Sequence, residues 1–236
     1  EATDFVQKHD LLTLVDDPCV IEEMPEFARG VAVAYCDPPG PLETAAVPTF
    51  YCIAPTPADW PADRVESFYR EYNNHMVRNL TVHEAMPGHF LQLAHSNEFR
   101  GPTLVRAIFQ SGTFVEGWAV YTEQMMVEAG YGGPEVKMQQ LKMRLRVICN
   151  AVLDQSIHTA NMSEQEALDL MMKEGFQQEG EAVEPGAAED LSRRRSSEPF
   201  EAALGVTEGQ PQATHDVGVE QDLDRHACAR PAAGSF

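Results

Sequence analysis

Two imidazoles flank a carboxylate in His83-Glu84-Ala85-Met86-Pro87-Gly88-His89. A neutral imidazole is the commonest metal-ligating side chain, and a Glu beside it can take a proton from a water that the ion activates. The familiar H-E-x-x-H spacing stacks its two His one turn apart on one helix face. Here the second His comes two residues later. On an unbroken helix six residues turn about 600° and rise about 9 Å, so His89 sits roughly 120° off the face of His83. Side chains so placed do not meet one small ion. Pro87 and Gly88 change that, because Pro cannot continue the helical hydrogen bonding and Gly takes backbone angles that other residues avoid. A kink or bulge at Pro87-Gly88 would bring His89 back beside His83. On spacing alone, a helix that ends at Met86 between two unrelated histidines is an equal alternative.

A second stretch, Phe114-Val115-Glu116-Gly117-Trp118-Ala119-Val120-Tyr121-Thr122-Glu123, also reads as helix. Zinc sites with three protein ligands often combine two His with a Glu from a following helix. Glu116, 27 residues after His89, suits that part. Glu123 follows by two turns and faces the same way. Solvent-facing charge is the usual fate of such glutamates. Here Val, Gly, Trp and Ala surround them, and a carboxylate in apolar surroundings needs a partner. Binding one ion would bring the ligand atoms of His83, His89 and Glu116 within about 3–4 Å of one another.

The blocks "HEAMPGHFLQ" and "EGWAVYTEQM", followed by Met143 to Val183, resemble the bacterial family known as domain of unknown function 885. That family is described as a zincin-like group of candidate metallopeptidases, and the resemblance runs from about Asp4 to Val183. It implies Zn2+ held by His83, His89 and Glu116, with Glu84 as general base in the hydrolysis of a peptide or small amide substrate. A metal-dependent hydrolase of non-peptide amides or esters, or an inactive helical fragment, is the alternative. The family carries an Asp-x-x-x-His pair where Asp154 and His158 stand, so His158 becomes a candidate for contacting the substrate or the charged intermediate. An i,i+4 pair that steadies a helix end explains the same two residues. The oxyanion of such a reaction needs a further donor, for which Tyr121 and His158 are the candidates. Members of the family are much longer, which makes this chain the C-terminal part of one. A Tyr-bearing block that follows in the family is missing after Val183.

The elements that must position these groups are mainly α. The expected fold is a zincin-like helical metallohydrolase core with a short β hairpin or edge near the N-terminus. A helix from Val65 to about Leu93 starts after Pro61-Ala-Asp63, with Asp63 as its cap. Thr103 to Glu128 reads as two helices jointed at Ser111-Gly112, and Gly130 to Pro134 as their end. Glu135 to Thr159 is a long helix with apolar Met138, Leu141, Leu145, Ile148, Val152 and Leu153. Ser163-Glu-Gln-Glu166 has the pattern of a capping box and starts a helix to about Gln178. Arg29 to Cys36 and Val47 to Ala54 read as strands, whose edge could bind extended substrate. His9 reads as a surface residue and His95 as a helix-end residue, while Arg78 and Asn79 are placed to orient Glu84 or substrate.

The 236 residues carry a formal charge of −20, which argues against nucleic acid and anionic membrane surfaces as partners. No apolar run is long enough for a membrane span. Five scattered cysteines form neither a disulfide framework nor a zinc ribbon. The chain starts Glu-Ala-Thr without an export signal, so compartment is left open, and nothing in the pattern specifies an oligomeric state. Residues 1–183 are expected to form the catalytic unit. From Glu184 to Phe236 there is no Ile, Lys, Met, Asn, Trp or Tyr, and all 10 Met precede it. That composition cannot bury enough apolar surface to offset chain entropy. A disordered or frameshifted tail is therefore expected over 184–236.

Overall fold

Helical periodicity governs most of the chain in the computed structural model, which describes residues 1–178 apart from 31, 44 and 100. The protein is mainly helical, with a small sheet near the N-terminus. The tail expected over 184–236 lies outside the described residues.

Two N-terminal elements differ from expectation. Ala2–Lys8 forms helix α1, anchored by buried Ala2 and Val6 one turn apart. Phe5 of α1 meets Tyr131 edge-on at 5.2 Å and stacks on exposed His9 at 4.0 Å. A seven-residue helix with two buried positions leaves little periodicity to detect. Strand β1, Cys19–Glu23, was also unsignalled, because only Cys19 is partly buried and the rest is exposed. The two expected strands are shorter than their sequence signals: β2 is Ala34–Asp37 and β3 is Thr49–Ile53. They pair antiparallel, while β1 pairs parallel with the other side of β3, giving the order β1-β3-β2. Strand β2 is thus an edge. The Ala54 N–H donates to the Val33 carbonyl at 2.8 Å. Continuing that ladder in register, Tyr35/Cys52 and Asp37/Phe50 are the hydrogen-bonded pairs. The peptide groups of Ala34 and Cys36 therefore point away from β3, to the side of β2 that pairs with no strand among the described residues.

The helix expected over Val65–Leu93 is three helices. Helix α2, Ala62–Glu71, starts after Pro61, which is its N-cap in place of Asp63. Helix α3, Asn74–Glu84, restarts because the Asn73 side-chain oxygen accepts from the N–H groups of His75 and Met76 at 3.0 and 3.2 Å. Helix α4 is His89–Glu98. Between α3 and α4 the helix bulges through a cis Met86-Pro87 bond, and the Gly88 and Leu91 N–H groups donate six residues back, to the Val82 and Ala85 carbonyls at 2.9 and 3.4 Å. A Cβ on Gly88 would lie 1.8 Å from the His83 carbonyl oxygen and 2.4 Å from that of Val82. Only glycine fits.

Helix α5, Val105–Ile108, and helix α6, Gly112–Glu128, meet near the expected joint, where the Ser111 hydroxyl caps the Phe114 N–H at 3.3 Å. Helix α7, Gly133–Ala160, follows Gly132 at φ +67 and ends at left-handed Asn161. Helix α8, Glu164–Asp169, has the expected capping box but passes into a π-helical turn at Leu170–Glu174, so it stops short of Gln178. The main core joins Val6, Tyr51, Phe68, Met76, Leu91 and Met126. The apolar stripe of α7 does not face it. Met138, Leu141, Leu145, Ile148 and Val152 are exposed, while Val136, Gln140, Cys149, Leu153 and Ile157 are buried. Periodicity located an apolar face on this helix but not the side that the rest of the fold covers.

Gly88→Ala should destabilise the chain by about 3 kcal/mol or more, since the added carbon meets backbone oxygens that cannot rotate aside. Gly117→Ala in mid-α6, where nothing lies within 4 Å of the added carbon, should stabilise it by about 0.5–1 kcal/mol. Urea unfolding of both variants checks the contrast.

Candidate metal centre

The α3–α4 bulge carries out what the motif requires. His83 sits in the last turn of α3 and His89 opens α4, and their ring centroids are 4.7 Å apart in an edge-on arrangement. Helix α6 crosses beside them. It is tied to the bulge by Trp118, whose indole N–H donates to the Pro87 carbonyl at 3.0 Å. Two residues earlier on α6, Glu116 reaches both rings: Oε2 is 3.4 Å from His83 Nε2, and Oε1 is 3.3 Å from His89 Nε2. The three ligand atoms lie within 4.8 Å of one another. This is looser overall than the convergence a bound ion imposes, although both His–Glu separations fall inside that range.

Glu123 works from behind. His83 Nδ1–H donates to Glu123 Oε1 at 2.7 Å, and the Asn79 amide donates to Oε2 at 2.7 Å. All of this is buried: Asn79 and Glu123 are each 1% exposed. A carboxylate on the far nitrogen of an imidazole fixes its tautomer and leaves Nε2 as the ligand. Asn79 therefore orients Glu123, not Glu84 as its proximity to the motif suggested. Arg78 instead pairs with Glu1 at 3.4 Å. His89 is the less supported of the two rings, for its Nδ1 is buried with no hydrogen-bond partner among the described residues.

The electrostatics follow from burying three carboxylates around two imidazoles. Burial disfavours the charged form of His83, but hydrogen bonds to Glu116 and Glu123 outweigh it and hold its pKa well above the usual value. Burial would raise the Glu116 carboxyl, yet hydrogen bonds with His83 and His89 hold it down at about 2. Glu84, 8% exposed, is pushed above the usual carboxylate range by burial, against His83 and His89, which lower it.

A cavity of about 320 Å³ opens on this cluster. His83, Glu84, His89 and Glu116 line one side, β2 another, and Met143, Arg146, Val147 and Asn150 of α7 a third. Tyr121 and His158 do not line it. Tyr121 is 55% exposed on α6 with its ring near Trp118, five residues and so about 140° round the helix from Glu116. His158 bonds the Asp154 carbonyl through Nδ1 at 2.7 Å, and it stands about 12 Å along α7 beyond Asn150. His95 donates from Nε2 to the Thr13 carbonyl at 2.8 Å, in the last turn of α4 as expected. Sequence reasoning passed over Arg146 and Asn150. Their signal was the i,i+3/i+4 set 143, 146, 147 and 150, which puts a cation on an otherwise apolar strip.

The family described as "Bacterial protein of unknown function (DUF885)" matches residues 1–185. A solved structure described as a candidate lipoprotein of unknown function from Shewanella oneidensis is similar, at 40% identity and a TM-score of 0.68. The similarity covers 86% of this chain and 35% of that one. A candidate lipoprotein from Colwellia psychrerythraea shares the fold at 19% identity and a TM-score of 0.60, over 86% of this chain and 33% of that one. The chain thus spans about a third of the length of the solved relatives. No curated protein matches it. No helix among the described residues is long and apolar enough to cross a membrane.

The depressed Glu116 carboxyl sets a pH dependence for the chelated protein. A group whose folded pKa lies below its unfolded value stabilises above the unfolded value, near 4.5, and loses that contribution as pH falls towards about 2. Stability of Glu116→Gln should therefore fall less steeply than wild type over that window. Urea titrations in chelator at stepped pH check it, and parallel acid limbs would contradict it.

Proposed function

Because the chain belongs to DUF885, a bacterial family of unknown function, we propose from the site itself that it is the catalytic part of a zinc-dependent hydrolase cleaving peptide bonds. The observation that carries this reading is the convergence of His83, His89 and Glu116, backed by Glu123 and Asn79. The donor set fits zinc. Two imidazole nitrogens and one carboxylate form the three-ligand set that leaves a position open for chemistry. The His–Glu separations of 3.4 and 3.3 Å equal the edge of a tetrahedron with bonds of about 2.0–2.1 Å. The zincin-like character of the core rests on the same constellation.

An ion held by His83 Nε2, His89 Nε2 and Glu116 would supply Lewis acidity to a substrate carbonyl. Glu84 is the proton carrier: its carboxylate accepts the proton of the attacking water and returns it to the leaving nitrogen. A carboxyl raised by burial is suited to both halves of that transfer. Glu123 and Asn79 hold the His83 ring in place during the reaction. The cavity's polar groups, rather than Tyr121 or His158, are the nearer source of a donor for the oxyanion. A peptide suits the cavity better than a compact ester. The outward peptide groups of Ala34 and Cys36, on the edge strand that lines it, can pair with an extended backbone.

Purified full-length chain should take up about one zinc, measured by calorimetry and elemental analysis. Alanine at His83, His89 or Glu116 should abolish uptake, and Glu123→Gln should weaken it about 10–100-fold. Glu84→Gln should keep the metal and lose turnover of a peptide panel, because an amide cannot accept the proton. Zinc-free wild-type protein after metal loading would sink the reading. Loss of zinc in Glu84→Gln would make Glu84 a ligand instead of a base.

A further inference from the structure

Helix α7 presents an apolar stripe that the described residues leave uncovered. Met138, Leu141, Leu145, Ile148 and Val152 are all exposed, and they follow one another at intervals of three, four, three and four residues. That is the spacing of successive heptads with only the a and d positions apolar. Such a narrow stripe is the seam of a coiled coil, whereas a helix turns a broader apolar face to a globular core. The stripe runs about 21 Å along the helix. It lies about half a turn round α7 from Met143, Arg146, Val147 and Asn150, which line the cavity, so the stripe and the metal cluster are on opposite sides of the helix.

Charge narrows what can lie on the stripe. Between Glu135 and Asp154, α7 carries Lys137, Lys142, Arg144 and Arg146 and no acid, in a chain whose formal charge is −20. With Met138 and Leu145 at a positions, Lys137 and Arg144 fall at g and Lys142 at e, the positions that border the seam. Lys142 pairs with Glu71, while Arg144 donates to the neutral Gln124 side chain and Lys137 is exposed. A second copy of the chain laid parallel on the stripe would set Lys137 of one copy against Lys142 of the other. A helix with acidic flanks meets no such conflict. The sequence of 184–236 holds no two successive heptads of apolar a and d positions, so it offers no matching seam. The solved relatives carry about two-thirds of their length outside the matched stretch, ample chain for a helix of that kind. We infer that the α7 stripe docks an amphipathic helix with apolar a and d positions and Glu or Asp along its flanks. This inference is independent of the hydrolase reading.

Two synthetic peptides of about three heptads test it, each with Ile at a and Leu at d. One has Glu at every e and g position, and its twin has Lys there. Like charges on its own flanks keep each peptide from pairing with itself. Fluorescence anisotropy of the labelled peptides, titrated with the full chain at low salt, reads the binding. The acidic peptide should bind at least about tenfold more tightly than the basic one, although the net charge of −20 favours the reverse order elsewhere on the surface. Lys137→Glu combined with Arg144→Glu should invert the preference. Leu145→Glu, at an exposed position in the middle of the stripe, should abolish binding of the acidic peptide, and Leu145→Met should retain it. Circular dichroism at the wild-type level shows that the variants are folded. Equal or inverted affinities in wild type, no binding of either peptide, or binding that survives Leu145→Glu each overturns the inference. A dimer in analytical ultracentrifugation that Leu145→Glu dissolves also overturns it, by making a second copy the occupant. The comparison within wild type stands whether or not any variant folds.

Discussion

The structure depends on one close approach, that of the Gly88 backbone to the carbonyls of Val82 and His83. A helix that ran straight through would put His83 and His89 on different faces and almost two turns apart. Instead α3 stops at Glu84, four residues form a bulge, and α4 begins with His89 already beside His83. The Trp118 indole then locks the bulge to α6 through the Pro87 carbonyl. That single hydrogen bond also sets the height of Glu116, which lies two residues before Trp118 on the same helix. Sequence, turn and site are coupled so tightly that the glycine is as much a part of the centre as the histidines.

The electrostatic consequence is a cluster that wants a cation. Glu84, Glu116 and Glu123 converge on two imidazoles in a chain whose formal charge is already −20. Without an ion, the cluster draws a proton onto His83 and holds Glu116 ionised, a partial answer to burying so much negative charge. A divalent ion would answer it more fully and release that proton. The Asn79 amide has a different task. By donating to one oxygen of Glu123 it leaves the other to His83, so one buried carboxylate is satisfied on both sides.

Much of this was legible in the sequence because it is local. The histidine spacing demanded a break, the Pro-Gly pair supplied one, and the apolar flanks of Glu116 argued that it was not a surface charge. The helices of the second half could be placed from their caps and periodicity. What escaped was set by tertiary partners. Strand β1 has almost no buried face to read, and α1 is two anchoring residues long in effect. The regular stripe from Met138 to Val152 looked like a core face and is exposed, because period reports which residues share a side but not what covers it. Tyr121 and His158 had suitable chemistry for an oxyanion donor, yet helix phase and axial distance keep both off the cavity.

Arg146 shows the same limit from the other direction. Three basic residues stand within five positions of one helix, and their chemistry alone does not separate them. Their partners do. Lys142 answers Glu71, a carboxylate 2% exposed that also accepts from the Gln178 backbone at 2.9 Å, so it is structural. Arg144 donates to the Gln124 side chain on α6. Arg146 donates to the hydroxyl of Tyr72, a core residue, at the wall of the cavity that also holds His83, His89 and Glu116. A cation and two largely buried glutamates lining one cavity give it a charge asymmetry that only the tertiary fold reveals.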